Sequence, residues 1–323
     1  MPERDAPAGR VLLAFAAIYV LWGSTYIAIR FAVETLPPFL MAGTRHLVAG
    51  ALLYAWLRLR GERRPAVRDW LTAAPIGCLL LFGGNGMVSW AEQRVPSGLS
   101  ALIVASVPLW IALLEAVQRR RAPRPPVMAG LLLGIGSLGW LVAPGHFGGN
   151  GRVDPLGAAA LLFASLSWAI GSLYSRVARM SVSTFLAVAM EMISGGAILW
   201  VAGLLAGEGA RLDVSAVSAR SLVSLGYLIV FGSLAGFSAY MWLLRVTTPA
   251  RVSTYAYVNP VVAMLLGWAI AGEAVTLRTA VAALGVVGAV AVIIRYGGRP
   301  DLKKVQSEAV VEPPVRLRAG GTT

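Results

Sequence analysis

The chain has 323 residues, of which 57% are hydrophobic and only 13% are charged, and its formal net charge is +13. Soluble domains have roughly 45–50% apolar and about 25% charged residues, so this chain has too little polar surface for a soluble globule and is too apolar to be disordered. Its single cysteine, Cys78, excludes a scaffold built on disulfides.

Long apolar runs recur through the chain at the length that a membrane crossing requires. A helix that spans a hydrocarbon core of ~30 Å needs about 20 mainly apolar residues. We predict ten such helices, with approximate limits 11–33, 37–57, 70–91, 95–117, 126–144, 155–176, 182–206, 221–244, 252–272 and 276–295. The fold class is therefore an all-α integral membrane protein with ten transmembrane helices. The second and seventh spans each hold an ionisable residue, and a miscount by one is the alternative at those two places.

The basic residues predict the orientation of the chain. With the N-terminus in the cytoplasm, 21 of the 28 Lys and Arg residues fall in cytoplasmic loops and tails, and five fall on the other side. Positive residues accumulate on the cytoplasmic side of membrane proteins, so both termini are expected there. These charges would meet anionic lipid head groups, which argues against a nucleic-acid partner.

The same residue spacings occur in both halves of the chain. A tryptophan precedes an arginine by eight residues in spans one and six, and a tryptophan precedes the proline of spans four and nine by 18 residues. The matched pairs are Trp22 and Arg30, Trp168 and Arg176, Trp90 and Pro108, and Trp242 and Pro260. Because each half holds an odd number of spans, the second copy enters the membrane upside down. We predict two inverted five-helix repeats.

The predicted organisation has four parts. They are a cytoplasmic tail over 1–10, a first five-helix repeat over 11–147, a second, inverted repeat over 148–296, and a polar cytoplasmic tail, expected to be disordered, over 297–323. Inverted repeats are typical of carriers, because the two halves can exchange shapes as the site opens to one side and then to the other.

Three motifs point to a known family. They are the segment Trp22–Tyr26 (Trp-Gly-Ser-Thr-Tyr), the helices that contain Pro108 and Pro260, and the pair Gly272–Glu273 at the end of span nine. On these motifs, residues 11–295 resemble the EamA-type branch of the drug/metabolite transporter superfamily. The resemblance implies an inner-membrane carrier, usually an exporter of small metabolites, with helices 1–4 and 6–9 around a central cavity.

The sequence departs from the family pattern in two places. The first half has Arg121 where the second has Glu273, and the second half has Trp168–Ser172 (Trp-Ala-Ile-Gly-Ser) in place of the Trp-Gly-Ser-Thr-Tyr run. Neither half is a complete copy of the pattern.

Candidate substrate-binding residues are the polar and aromatic side chains within these spans. Charges in the apolar layer are costly unless they are compensated, which singles out Arg45 in span two and Glu191 in span seven. If both face the axis they could pair across it and gate or bind substrate, and Glu191 could instead exchange a proton; a static ion pair and an Arg45 that reaches the surface are the alternatives. The predicted set is Trp22, Ser24, Thr25, Tyr26, Arg45, Asn85, Ser106, Trp110, Trp168, Ser172, Glu191, Tyr257 and Asn259.

Two prolines lie inside apolar spans, Pro108 in span four and Pro260 in span nine. Each removes a backbone hydrogen bond from its helix, which membrane proteins tolerate beside a cavity. We expect matched hinges there; a fixed kink is the alternative.

Neither a catalytic arrangement, a metal-ligand spacing nor a phosphate loop is found in the sequence, so neither enzymatic activity nor a cofactor nor a metal is expected. The pattern predicts a membrane carrier that moves, and exports, a small organic metabolite or drug-like solute by alternating access. An integral membrane enzyme or lipid-handling protein is the alternative, and it would need polar catalytic groups clustered at one interface. The expected partners are a small-molecule substrate and membrane lipid; the substrate, the energy coupling and homodimer formation stay open.

Overall fold

The computed structural model describes residues 7–118, 120, 122–142, 154–247, 249–252 and 254–297. All regular secondary structure in these ranges is helical. The two predicted tails lie mainly outside the described residues, as do Arg121 and the side chain of Tyr257.

Short helical turns at Glu208–Arg211, Val214–Ala216 and Pro249–Val252 lie in connections. Ten long helical segments fill most of the described chain, and each coincides with a predicted span to within three residues at either end. We number them in chain order: α1 Ala8–Ala32, α2 Pro38–Leu59, α3 Val67–Ala91, α4 Ser97–Gln118, α5 Pro125–Val142, α6 Pro155–Val177, α7 Thr184–Leu205, α8 Ala219–Val246, α9 Tyr255–Ala271 and α10 Leu277–Gly297.

Length and hydropathy identify seven of these segments, in the part of the chain that is described, as able to cross a membrane: α1, α3, α4, α6, α7, α8 and α10. The apolar stretches of α5 and α9 are shorter, over Pro125–Leu141 and Val258–Ala271. Helix α2 is long enough, with 22 residues. It is not among the seven because Arg45 and His46 lower its mean hydropathy. The protein is therefore an all-helical, multi-span membrane protein.

Local signals explain where several helices begin and end. Proline occupies the first turn of α2, at Pro38, where a missing N–H costs nothing. Asp154 caps α6 by accepting a hydrogen bond from the Gly157 N–H at 2.7 Å, and Ser183 caps α7. Helix α9 ends at Gly272, whose φ of +65° suits glycine and stops the helix.

Three helices contain π-helical stretches: Ala17–Leu21 in α1, Cys78–Gly86 in α3 and Leu228–Phe237 in α8. Such stretches are rare and concentrate at functional sites, because the wider turn changes which side chains face a neighbour. Those of α3 and α8 occupy corresponding positions in the two predicted halves.

The two candidate hinge helices differ. Helix α4 is interrupted between Ser97–Val104 and Val107–Gln118, and Pro108 is the second residue of the later piece. In α9 the helix runs through Pro260 without a break. The proline of α4 therefore adjoins a real interruption, whereas that of α9 does not.

Equivalent helices of the two predicted halves make equivalent contacts. Helix α2 packs most extensively on α7, and α5 on α10. Helix α1 lies against α8 and α9, while α6 lies against α3 and α4. The first helix of each predicted half is thus held between the third and fourth helices of the other.

The exterior is apolar. Large hydrophobic side chains, among them Leu132, Leu265, Trp268 and Leu284, are exposed on the outside of the helices. Soluble monomers rarely expose apolar surface to this extent, and here it matches helices that face lipid.

Candidate functional site

An internal cavity lies among α1, α2, α3, α4, α6 and α9. Its empty volume is about 540 Å³, which includes the space at its mouth. Its walls are formed by Trp22, Thr25, Tyr26, Ile29, Arg45, Gly84, Asn85, Val88, Val104, Ala164, Trp168, Tyr255 and Asn259.

The matched tryptophans of the two halves meet at this cavity. Trp22 of α1 and Trp168 of α6 contact each other edge to face, with ring centroids 5.5 Å apart. Tyr240 and Tyr255 pack on Trp22 at centroid distances of 5.0 and 5.5 Å. Tilted and edge-to-face pairs at these distances are the favourable aromatic geometries, and they give the cavity a rigid aromatic wall.

Hydrogen bonds fix the orientation of these rings. Trp22 Nε1 donates to the Gly232 carbonyl at 3.1 Å, and Trp168 Nε1 donates to the Tyr240 hydroxyl at 3.1 Å. The Ser172 hydroxyl lies 2.7 Å from the same Tyr240 oxygen. Buried indole N–H groups need partners, and these partners set which ring face each tryptophan presents.

Glycines in the π-helical stretches make room for the tryptophans. A Cβ added to Gly236 of α8 would lie 2.4 Å from Trp22 Nε1, and one added to Gly84 of α3 would lie 2.7 Å from Trp168 Cε3. Both distances are far below van der Waals contact. Each half thus uses a glycine of its third helix to seat the tryptophan of the other half.

Arg45 is the cavity-lining residue that carries a formal charge. It is 2% exposed, and its Nε donates to the Ser233 hydroxyl of α8 at 2.8 Å. The same hydroxyl lies 3.3 Å from His46 Nδ1. The Nη1 of Arg45 is buried without a hydrogen-bond partner in the described structure. Ser233 therefore orients the guanidinium and leaves one of its donor groups unused.

Asn259 joins α9 to the π-helical stretch of α1. With its amide oriented so that nitrogen meets carbonyl groups, Nδ2 lies 3.1 Å from Tyr19 O and 3.2 Å from Ile18 O. Asn259 is also one of the residues that form the cavity wall.

Seven of the predicted site residues line the cavity: Trp22, Thr25, Tyr26, Arg45, Asn85, Trp168 and Asn259. The others with described side chains lie elsewhere. The Ser24 hydroxyl bonds to Leu21 O and to the Tyr227 hydroxyl, so it faces α8. The Ser106 hydroxyl lies 2.9 Å from that of Ser165. Ser172 supports Tyr240 from behind the cavity wall, and Trp110 is half-buried outside it.

The suggested ion pair between Arg45 and Glu191 is not formed. Glu191 is fully buried, both of its carboxylate oxygens lack hydrogen-bond partners, and it does not line the cavity. At Glu191 the backbone of α7 touches α3, where a Cβ on Gly77 would lie 2.4 Å from the Glu191 carbonyl oxygen. Arg45 is instead directed to Ser233 of α8. The two residues occupy corresponding spans, but their side chains do not pair with each other.

The prediction omitted the apolar part of the wall: Ile29, Gly84, Val88, Val104 and Ala164. Their identities do not differ from those of ordinary core residues. It also omitted Tyr255, an aromatic residue in a span expected beside the cavity, which that expectation could have included.

Carboxylates join helix ends across the protein. Glu273, directed by the turn at Gly272, accepts hydrogen bonds from the N–H groups of Ser97 and Gly98 at 2.8 and 3.1 Å, and so caps α4. Glu208 accepts from Phe39 N at 3.2 Å and from Leu40 N at 2.9 Å, and so caps α2. Negative charge is favoured at helix N-termini. Glu273 thus holds the end of α9 to the start of α4.

Glu62, at the end of α2, forms the contact related to that of Glu208. Its two oxygens accept from the Ser183 hydroxyl, the cap of α7, at 2.8 and 2.7 Å. Helices α2 and α7 are therefore each tied, at the N-terminus, to a carboxylate that follows the other helix.

An all-helical protein with an apolar exterior and an internal aromatic and polar cavity has the build of a multi-span membrane transporter. The described residues include no group of three or more His, Cys, Asp or Glu side chains that could hold a metal ion. Comparison with known families then identifies the class more closely. The model of the EamA-like transporter family matches residues 9–143 and 155–295, and the chain belongs to this family. The resemblance seen in the motifs is confirmed.

Relatives carry the same assignment. The chain is 42% identical over 289 residues to the "Uncharacterized inner membrane transporter YedA" of Escherichia coli K12, covering 88% of this chain and 90% of the relative. It is 25% identical over 268 residues to the "Uncharacterized transporter sll0355" of Synechocystis, covering 78% and 80%. A crystal structure of another protein, at 21% identity, superposes with a TM-score of 0.63 over 89% of this chain and 98% of that one. That likeness concerns the fold alone.

Proposed function

We propose that this protein carries a small organic solute across the cytoplasmic membrane, in the export direction, by alternating access. The observation that carries the proposal is the cavity itself, because helices of both halves build its wall and the matched residues Trp22 and Trp168 meet there. A carrier needs one site that can be approached from either side in turn. A site shared by two similar halves meets that need when the halves rock against each other.

The proposed architecture is ten membrane crossings in two inverted five-helix repeats, over 11–147 and 148–296. The corresponding packing of α1 and α6, the π-helical stretches of α3 and α8, and the related capping contacts of Glu62 and Glu208 support it. An unrelated pair of halves would have no reason to repeat these features. Both termini are placed in the cytoplasm, as the distribution of basic residues indicates.

Closure at one end is proposed to involve α4 and α9. The first piece of α4, Ser97–Val104, packs on α9, and Glu273 ties the ends of the two helices together. In the proposed topology this end faces away from the cytoplasm. Separation of the helices would break the two hydrogen bonds of Glu273, and the interruption before Pro108 gives α4 a place to bend. Pro108 and Pro260 are proposed as the hinges of the two halves.

Energy coupling is proposed to involve Glu191. A buried carboxylate without a hydrogen-bond partner is costly when ionised and acts in membrane carriers as a proton site. Arg245 of α8 is the charged group that interacts with it electrostatically. Exchange of a proton at Glu191 for substrate would couple export to the proton gradient.

Metabolite efflux from cells tests the transport proposal. Cells that express the wild-type protein and cells that express Trp22→Ala are challenged with a panel of toxic amino acids, purines and aromatic acids, and intracellular and medium concentrations are followed. We expect faster efflux of at least one compound with the wild type and a loss with Trp22→Ala. Trp268→Ala, which removes an exposed tryptophan of α9, is the matched control. No difference between expressing and empty cells for any compound would contradict the proposal.

A further inference from the structure

We infer that the cavity selects small organic anions with an aromatic or flat apolar body, and that Arg45 binds the anionic group. This inference rests on the proposed transport function and specifies its substrate class. It follows from three properties of the cavity wall: one formal charge, an unused donor on the group that carries it, and an aromatic surface beside it.

The charge of the wall is positive. Among the thirteen residues that line the cavity, Arg45 is charged at neutral pH, and no aspartate or glutamate belongs to the lining. Guanidinium groups remain protonated in proteins and match a carboxylate with parallel N–H groups. An anion that enters this space meets a cation and encounters no carboxylate in the wall.

One donor group of Arg45 has no hydrogen-bond partner in the local structure. Ser233 takes the Nε hydrogen bond of Arg45, while Nη1 has no hydrogen-bond partner in the described structure. Leaving a charged donor buried and unsatisfied is strongly unfavourable. A ligand anion would satisfy it, and binding would therefore relieve a cost that the empty site carries.

Nearby charges do not take up this donor. Glu92, at the end of α3, interacts electrostatically with Arg45 and with Arg30, but both of its carboxylate oxygens are buried without hydrogen-bond partners. The side chain of Arg30 donates from Nη1 to the backbone carbonyl oxygen of Glu92, not to its carboxylate. No carboxylate oxygen of Glu92 therefore occupies Nη1 of Arg45, and Arg45 itself belongs to the cavity wall.

The remainder of the wall suits a flat apolar body. Trp22, Trp168 and Tyr255 present ring surface, and Ile29, Val88 and Val104 are aliphatic. Aromatic faces also attract cations. That attraction is weaker than the repulsion between two like charges in a poorly solvated space, so Arg45 decides between the two signs.

Size limits the class further. The empty volume of the cavity is about 540 Å³, part of it at the mouth, and this size suits a small ligand. A small, flat aromatic ring system with one acidic group is a ligand of this kind. A zwitterion would place its ammonium group in a wall that offers it no carboxylate.

Ligands of equal shape and different charge test the inference directly. Purified protein in lipid nanodiscs is titrated with benzoate, benzamide and benzylamine, and with indole-3-acetate, its amide and tryptamine. Affinity is read from heat of binding and from the shift in melting temperature. We expect each anion to bind at least tenfold more tightly than its neutral and cationic counterparts. Equal or tighter binding of the amide or the amine overturns the inference, as does a lack of binding by both anions.

Variants test the role of Arg45. Arg45→Gln is expected to remove the anion preference, an effect of about tenfold to a hundredfold for the loss of a charged hydrogen bond, and Arg45→Lys to retain part of it. Arg220→Gln is the matched control, because Arg220 is exposed, pairs with Glu34 at 3.6 Å and is not part of the cavity wall. An anion preference that survives in Arg45→Gln overturns the assignment. If Arg45→Gln does not fold, Arg45→Lys and the wild-type series still decide the question.

Counterflow of labelled benzoate and indole-3-acetate into proteoliposomes separates this inference from the transport proposal. Tight binding of anions without any counterflow would leave the inference standing and contradict transport. Counterflow of neutral or cationic aromatic compounds in preference to the anions would leave transport standing and overturn the inference.

Discussion

The fit of Trp22 against α8 gives a sharp quantitative prediction for Gly236→Ala. The new Cβ would lie 2.4 Å from Trp22 Nε1 and 2.7 Å from Trp22 Cδ1. Ordinary contact begins near 3.4 Å, so the ring must move by about 1 Å. The Phe231 carbonyl, 3.1 Å from the same Cβ, is backbone and cannot yield easily.

The expected cost has two parts. Overpacking a well-filled site costs about 1–3 kcal/mol, and displacement of the ring weakens the Trp22–Gly232 hydrogen bond, worth about 1 kcal/mol. Alanine in a helix recovers about 0.4–1 kcal/mol relative to glycine. Gly236→Ala is therefore expected to lose about 1–3 kcal/mol of stability.

Gly226→Ala is the matched control, since it makes the same substitution in the same helix where a Cβ meets no atom within 4 Å. The assay is the apparent unfolding midpoint in detergent, followed by efflux of an identified substrate. We expect Gly226→Ala to match or exceed the wild type and Gly236→Ala to melt several degrees lower and to transport poorly. Equal midpoints and equal transport for the two variants would refute the packing argument at Trp22.

Three further changes have defined outcomes. Glu208→Ala removes a buried cap of α2 and should lower the free energy of unfolding by about 1–3 kcal/mol. Glu62→Ala breaks an exposed contact with the Ser183 hydroxyl and should lower it by less than about 1 kcal/mol. Similar losses for the two variants would contradict the argument from burial. Pro260→Ala restores a backbone donor in a continuous helix and should slow transport without lowering binding affinity, and unchanged transport rates would dismiss the hinge. Glu191→Gln fixes a neutral side chain at a buried site and should flatten the dependence of transport on external pH, and an unchanged pH profile would exclude proton exchange there.

Residues of the same motif face different surroundings, and this limits what the sequence could predict about the site. Ser24, Thr25 and Tyr26 follow one another in α1, yet Thr25 and Tyr26 line the cavity while Ser24 bonds to Tyr227 of α8. Successive residues of a helix point about 100° apart, so a run of polar residues cannot all face one cavity. Which of them does so depends on the neighbouring helix.

The π-helical stretches show the same limit. Nothing in the sequence of Leu228–Phe237 distinguishes it from an ordinary apolar helix, yet its wider turn places Gly232, Ser233 and Gly236 against Trp22 and Arg45. The oriented guanidinium of Arg45 is a product of this contact. Its direction could not be inferred from span two alone.

The amino-acid sequence by itself determined that the chain is a helical membrane protein, where its helices lie, and to which family it belongs. Hydropathy and length suffice for the class and the helix positions, because a lipid solvent demands long apolar helices with internally satisfied backbones. The family was indicated by the motifs around Trp22, Pro108, Pro260 and Glu273. Only the tertiary structure decided which polar groups share a cavity, that Arg45 turns to Ser233 and away from Glu191, and that Glu273 holds α9 to α4. The reason is that helices in lipid are matched through close packing and individual hydrogen bonds, whose partners come from distant parts of the chain.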